Sequence, residues 1–364
     1  MASVTAPGRL GDPEMSLATE PRIHPELLKA LKGYGIHAPS YLSSEMAPDA
    51  PLDTISSFVS KNEEAIERLY NSIDYSVPDE TSSTPITTLE EFVLSPDGNK
   101  VKLMIHRPSE SLGTSLPAVL YFHGGGMVIL STENPMHTTW VEALARTGLV
   151  AIAVDFRNAL TRTGFNPFPA GLNDCAAAVR WVDAHRGQLD ISKIVLEGES
   201  GGGNLALATA LKAKQEGWLK AIDGVCATVP YISGAYGLPL EWRLRELPSL
   251  VECDGYLISC ATSALNARIY DPSGEHARNP LAWPYWATEE VLKGLPPHFI
   301  MTSELDPLRD EGNAYYRKLV KAGVSAVGKM NLGVVHEAEL FFRLTLPDLF
   351  LANLWEFKKF VDRL

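Results

Sequence analysis

The chain has 364 residues, 45% of them hydrophobic, and a formal net charge of -12. That length supports one large domain with an embellishment rather than two equal domains. The acidic balance argues against non-specific nucleic-acid binding and against an anionic membrane surface.

No uninterrupted apolar run reaches transmembrane length. The opening MASVTAPGRLGDPEM lacks the basic and apolar regions of a signal peptide, and no Asn-x-Ser/Thr acceptor occurs. Four cysteines, Cys175, Cys226, Cys253 and Cys260, show no metal-ligand spacing and read as buried thiols. Together these features lead to an expectation of a cytoplasmic protein.

Residues 1–88 contain two helical patches, PELLKALKGYG and SSFVSKNEEAIERLYNSI, separated by Pro- and Ser-rich chain and followed by a TSSTPITT junction. This segment lacks strand-helix repeats and reads as an N-terminal cap. From residue 89 the pattern changes. TLEEFVLSPDGNKVKLMIHRP carries an Asp-Gly turn between two strand candidates, a hairpin signal. Strands are then expected at PAVLYFH, LVAIAVDF, KIVLEG, DGVCATVPY, HFIMTSE and VSAVGKM, alternating with amphipathic helices. This alternation predicts an α/β fold, with a mostly parallel central sheet, a leading antiparallel hairpin and helices on both faces. Residues 232–295 interrupt it and read as a cap insertion. The expected division is therefore cap (1–88), core (89–231), cap insertion (232–295) and core (296–364).

Between KIVLEG and NLALATALKAK lies GESGGG. Gly198-Glu199-Ser200-Gly201-Gly202 fits G-x-S-x-G in a strand-turn-helix context, where a sharp turn lifts a serine hydroxyl above the sheet. A phosphate loop is the rival, but Asn204 follows the glycines and the next lysine is Lys212.

Ser200 is thus the expected nucleophile. His336, on a loop after the last strand, is the expected base; of the other eight histidines, His123 belongs to the HGGG run and the remaining seven have no paired feature. Its orienting acid is sought between serine and histidine in chain order, in MTSELDPLRDEG. Asp306 lies just past the strand and is preferred over Asp310, Glu304 and Glu311, although Asp306 also suits a helix N-cap before Pro307. The HGGG run from His123 to Gly126 supplies an oxyanion loop. Its expected donors are Gly124 and Gly125, with Gly201 as the third, and His123 is expected to hold the loop. Met127, Val128 and Ile129, with Glu199, Tyr231 and the cap tryptophans Trp242, Trp283 and Trp286, are candidates for the substrate pocket.

The ordered set HGGG, DFRNA…FNPFPAGLNDCAAAVRWV, GESGGGN, ELDPLRDEG and GVVHEA resembles the hormone-sensitive-lipase-like branch of the α/β-hydrolases, often called bacterial family IV. The resemblance covers almost the whole chain. It implies the α/β-hydrolase fold with a helical cap, and a triad at Ser200, Asp306 and His336. Three stretches depart from the family pattern. GESGGG replaces the commoner GDSAGG, and Asp155-Phe156-Arg157-Asn158 stands where DYRL is common. Glu337 stands after His336 where glycine is common, and a carboxylate there favours imidazolium.

The expected reaction is serine-dependent hydrolysis of a hydrophobic carboxylic ester or lactone through an acyl-enzyme, with no cofactor and no metal. An amidase or peptidase using the same groups is the alternative, and a non-catalytic ligand-binding module on the same fold is a further one. The expected partner is a small hydrophobic ester or lactone, with no nucleic acid and no membrane span; a homodimer is left open.

Overall fold

The computed structural model describes residues 6–37, 46–76 and 83–364. Parts of the Pro- and Ser-rich stretch and of the TSSTPITT junction lie outside them.

The sheet comprises β1 (Ile86–Leu94), β2 (Lys100–Pro108), β3 (Leu116–Phe122), β4 (Val150–Asp155), β7 (Ile191–Glu199), β8 (Gly224–Thr228), β9 (His298–Ser303) and β10 (Ala326–Asn331). A separate small hairpin is formed by β5 (Leu160–Thr161) and β6 (Gly164–Phe165). The eight strands lie in the order β1-β2-β4-β3-β7-β8-β9-β10. Strand β2 pairs antiparallel with β1 and β4, and all other neighbours are parallel. This is the α/β-hydrolase fold. Strand β1 starts at Ile86, inside the segment expected to belong to the cap.

Burial follows position in the sheet. Every residue of β8 and β9 is buried, as is β7 from Ile194 onward, because central parallel strands are covered on both faces. The helix Gly201–Gln215 is buried almost all round and packs on β3, β7 and β8. Such a helix needs no polar face, which explains the run NLALATALKA. The helix Pro135–Arg146 starts on proline, with the Asn134 side chain accepting the Met136 N–H at 3.0 Å. It packs on β4 and β2, beside the closing helix Pro347–Arg363.

The two segments expected to form a cap meet each other: the N-terminal helix Leu52–Tyr70 packs on the helix Cys260–Tyr270 of the insertion. An ion network also joins the segments to the core. Arg22 bridges Glu20 (2.8 Å) and Glu252 (2.7 Å), and Arg309 bridges Glu252 (2.7 Å) and Asp310 (3.0 Å). No helix among the described residues is long and apolar enough to cross a membrane.

Candidate active site

Ser200 occupies the turn between β7 and the helix Gly201–Gln215, with φ 52° and ψ -117°. Non-glycine residues rarely adopt this conformation, and it persists only where the surroundings impose it. The turn is pinned from β8 and the chain just after it: Ser200 N–H donates to Thr228 O at 2.9 Å, and Ser200 O accepts from Tyr231 N–H at 3.0 Å. The flanking glycines are steric necessities. A Cβ at Gly202 would lie 1.8 Å from Phe122 O, and one at Gly198 would lie 2.4 Å from Gly202 C. The elbow is pressed against the end of β3, and only hydrogen fits at either position.

Asp306 and His336 come together from the loops after β9 and β10. His336 Nδ1 lies 2.8 Å from Asp306 Oδ2, with both side chains buried. Asp306 Oδ1 accepts the Leu308 N–H at 2.9 Å, so one carboxylate caps the following turn and orients the imidazole. The rival acids are used elsewhere. Asp310 accepts the Ser249 N–H of the cap insertion at 2.7 Å, Glu304 accepts the Gly333 N–H, and Glu311 accepts the Ile232 N–H and the Tyr236 hydroxyl. Burial alone would lower the His336 pKa. The charges of Asp306 and Glu337 and their hydrogen bonds outweigh it and raise it well above the ordinary histidine value.

Ser200, Gly125, Gly126, His336 and Glu337 all line one cavity of about 570 Å³. Its remaining walls are mostly apolar and come largely from the cap. The helix Leu52–Tyr70 supplies Val59, Ile66, Leu69 and Tyr70, and the insertion supplies Leu257 and Ile258. Phe341 and Phe342 close the side beyond His336.

The oxyanion loop differs from expectation at one glycine. The Gly124 N–H donates to Glu199 Oε1 at 2.7 Å and is therefore engaged within the protein. Gly125 and Gly126 are the HGGG glycines at the cavity wall, with φ 97° and 63°. Gly201 lies against them, since a Cβ there would fall 2.5 Å from Met127 N and 2.7 Å from Gly126 N. His123 acts as expected: its Nδ1 lies 2.7 Å from Gly124 O. Burial lowers its pKa to about 4, only partly offset by that bond, which suits a neutral ring fixing a turn.

The expected pocket needs more correction. Ile129 and Tyr231 line the cavity, whereas Met127 and Val128 do not; both are packed into the core. Glu199 is fully buried beside Gly124, where it also accepts the Tyr121 hydroxyl at 2.6 Å. The cap tryptophans are not wall residues either. Trp283 packs edge-on against Tyr231 and Tyr270, and Trp242 lies against Trp286. Sequence reasoning missed Gly126 and the cap walls. Apolar spacing in SSFVSKNEEAIERLY marked a helix with a buried face, and the Phe341-Phe342 pair lay just past His336. Neither signal says which cavity a face covers.

Comparisons with known proteins agree with this architecture. A family model described as the alpha/beta hydrolase fold matches residues 119–340. The solved structure of brefeldin A esterase, described as a bacterial homologue of human hormone sensitive lipase, superposes with a TM-score of 0.95 at 46% identity, covering 98% of each chain. The structure of esterase Est22 gives a TM-score of 0.81 at 36% identity, covering 95% of this chain and 99% of that one. Carboxylesterase NlhH of Mycobacterium tuberculosis is 30% identical over 275 residues, spanning 72% of this chain and 79% of its own. The chain belongs to the α/β-hydrolase family, in its hormone-sensitive-lipase-like branch.

Proposed function

We propose that the protein hydrolyses hydrophobic carboxylic esters, including lactones, through an acyl-enzyme on Ser200. At the coarser level the chain is a carboxylic ester hydrolase of its family. The observation that carries the finer reading is the buried Asp306–His336 pair at 2.8 Å, sharing one cavity with a serine in a strained elbow.

In this reading Asp306 fixes the tautomer that leaves His336 Nε2 free to accept a proton. Ser200 Oγ attacks the ester carbonyl carbon as His336 Nε2 takes the hydroxyl proton. The N–H groups of Gly125, Gly126 and Gly201 face the developing oxyanion; each such donor is worth roughly 3 kcal/mol of transition-state stabilisation. Collapse re-forms the carbonyl and breaks the bond between its carbon and the alkoxyl oxygen, and His336 gives its proton to the leaving alkoxide. Water, deprotonated by His336, then releases the acid and regenerates Ser200. With a lactone, acid and alcohol leave as one ring-opened molecule. The apolar cavity of about 570 Å³ suits a compact hydrophobic ester or ring better than a long polar chain.

Four free, buried cysteines fit a reducing compartment such as the cytoplasm.

Fluorophosphonate labelling of Ser200, followed by paired ester, anilide and macrolactone assays with mass analysis of products, tests the reading. Labelling lost in Ser200→Ala and ester turnover far above anilide turnover are expected. An active protein that is never labelled would overturn the serine mechanism. Anilide turnover equal to ester turnover would favour the amidase alternative.

A further inference from the structure

Glu337 has a place in the site that the triad does not explain. It follows His336 directly, with φ 53° and ψ 21°, in the left-handed region that favours glycine. Its side chain is buried, and Oε1 lies 3.3 Å from His336 Nε2. That is the ring nitrogen away from Asp306, the one that must receive the Ser200 proton. The same Oε1 lies 3.1 Å from the position of a Cβ built on Gly124, and Glu199 Oε1 lies 3.3 Å from it. Two carboxyl groups therefore converge on the oxyanion loop beside the base.

We propose that Glu337 is a positioning residue that tunes the base strength of His336 from its Nε2 side, opposite Asp306. The inference rests on the roles proposed above for Ser200 and His336. The imidazolium formed during Ser200 attack carries N–H on both nitrogens, and a carboxylate then stands at each: Asp306 at Nδ1 and Glu337 at Nε2. A neutral ring presents a lone pair to Glu337, which is the less favourable pairing. Glu337 thus favours the protonated ring, in the resting enzyme and in the transition state alike.

The other titratable groups facing this cluster come from several elements. Glu199 approaches from β7, Tyr121 from β3, Tyr70 from the helix Leu52–Tyr70, Tyr75 from the chain just after it, and Glu339 from the short helix Ala338–Phe341. Burial, reinforced by Glu337 and Glu197, raises the Glu199 pKa well above the ordinary carboxyl range. Glu199 is thereby biased to its acid form, which relieves like-charge repulsion against Glu337.

The direction of the effect is fixed. Neutral His336 is the base, so kcat/KM falls as pH drops through its pKa. A carboxylate beside Nε2 raises that pKa and places the acidic limb at higher pH. In Glu337→Gln the acidic limb should move to lower pH by about one unit. The plateau rate should fall several-fold, because a weaker base accepts the proton. A purely structural role would lower the plateau without moving the limb.

The experiment is the pH profile of kcat/KM for wild type and Glu337→Gln on one p-nitrophenyl ester, normalised by fluorophosphonate titration of active sites. Glu337→Asn, which tolerates the left-handed backbone, replaces the variant if the glutamine form does not fold. NMR titration of the His336 ring in Ser200→Ala, with and without Glu337→Gln, reads the same shift without catalysis. A moved limb and a lowered ring pKa support the proposal; an unmoved limb and an unchanged ring pKa overturn it. Failure of the serine mechanism is distinguishable, because wild-type protein would then take no label while the ring titration still reports on Glu337.

Discussion

Glu63, on the N-terminal cap helix, accepts a hydrogen bond of 2.8 Å from the backbone N–H of Leu130, at the end of the oxyanion loop. Leu130 has φ 71°, and its carbonyl accepts the Asn158 side-chain amide at 2.6 Å. Met127 also has positive φ, at 61°, so two non-glycine residues of this loop are held in a conformation they do not favour, while Gly125 and Gly126 adopt theirs without cost. The helix Leu52–Tyr70 therefore restrains the backbone of the HGGG loop as well as lining the cavity beside Ser200.

Removing that restraint should act on turnover more than on binding. Glu63→Ala is expected to lower kcat about tenfold, the loss of roughly 1.4 kcal/mol from a charge-assisted bond, with a smaller change in KM. Glu63→Gln keeps an acceptor oxygen and should recover most of the loss. Steady-state kinetics on a short-acyl ester would show it. An unchanged kcat in Glu63→Ala means the loop holds its shape without the cap.

The two aspartates of DPLRD should separate cleanly. Asp306→Asn leaves the loop in place but presents an amide to His336 Nδ1, and kcat should fall by about 10⁴. Asp310→Asn weakens the contacts to Ser249 and Arg309 that hold the cap insertion, so Tm should drop while kcat changes little. Parallel kinetics and thermal melts on both variants check the pair. The reverse pattern would reassign the acid.

Glycines of the elbow are not equivalent. Gly202→Ala forces a methyl to 1.8 Å from Phe122 O, and folded, labelled protein should be lost. Gly203→Ala meets Gly198 O at 3.1 Å and the Pro230 Cβ at 3.2 Å, which small shifts relieve. That variant should fold and retain fluorophosphonate labelling with a lower Tm. Soluble yield and labelling distinguish the two, and a fully active Gly202→Ala would contradict the packing described for the elbow.

Glu311 makes stability fall as pH rises. Burial pushes its pKa up to about 8, against an ordinary 4.5, despite the hydrogen bonds it accepts. The folded state therefore holds this proton more tightly than the unfolded chain. Its contribution is fully present below about 4.5 and is lost progressively toward pH 8. Tm measured between pH 5 and pH 9 should decline less steeply in Glu311→Gln than in the wild type. Equal slopes would show that the Glu311 proton is not linked to folding.

Much of the architecture was legible because its signals are local. Buried parallel strands appear as β-branched runs such as KIVLEG. Most of their helices appear as amphipathic stretches, and the elbow appears as glycines at two-residue offsets from Ser200. Chain order and strand ends singled out Asp306 and His336 as candidates, and the folded chain sets them 2.8 Å apart. The two interruptions of the strand-helix rhythm, which suggested a cap, were visible in the sequence, and β1 begins at Ile86, before the boundary expected at residue 89.

The order of elements, the elbow and the choice of Ser200, Asp306 and His336 as the proposed triad follow from local sequence, since each depends on neighbours a few residues away. The tertiary structure decided how those parts face one another. Glu199 reaches across to engage Gly124 and leaves Gly125 and Gly126 at the cavity. Glu63 holds Leu130 from a separate segment, and the cap tryptophans pack among tyrosines instead of lining the site. These are contacts between residues far apart in the chain, and periodicity cannot reveal which amide, carboxylate or ring will meet across a packed interior. Only the folded backbone brings them within hydrogen-bonding distance.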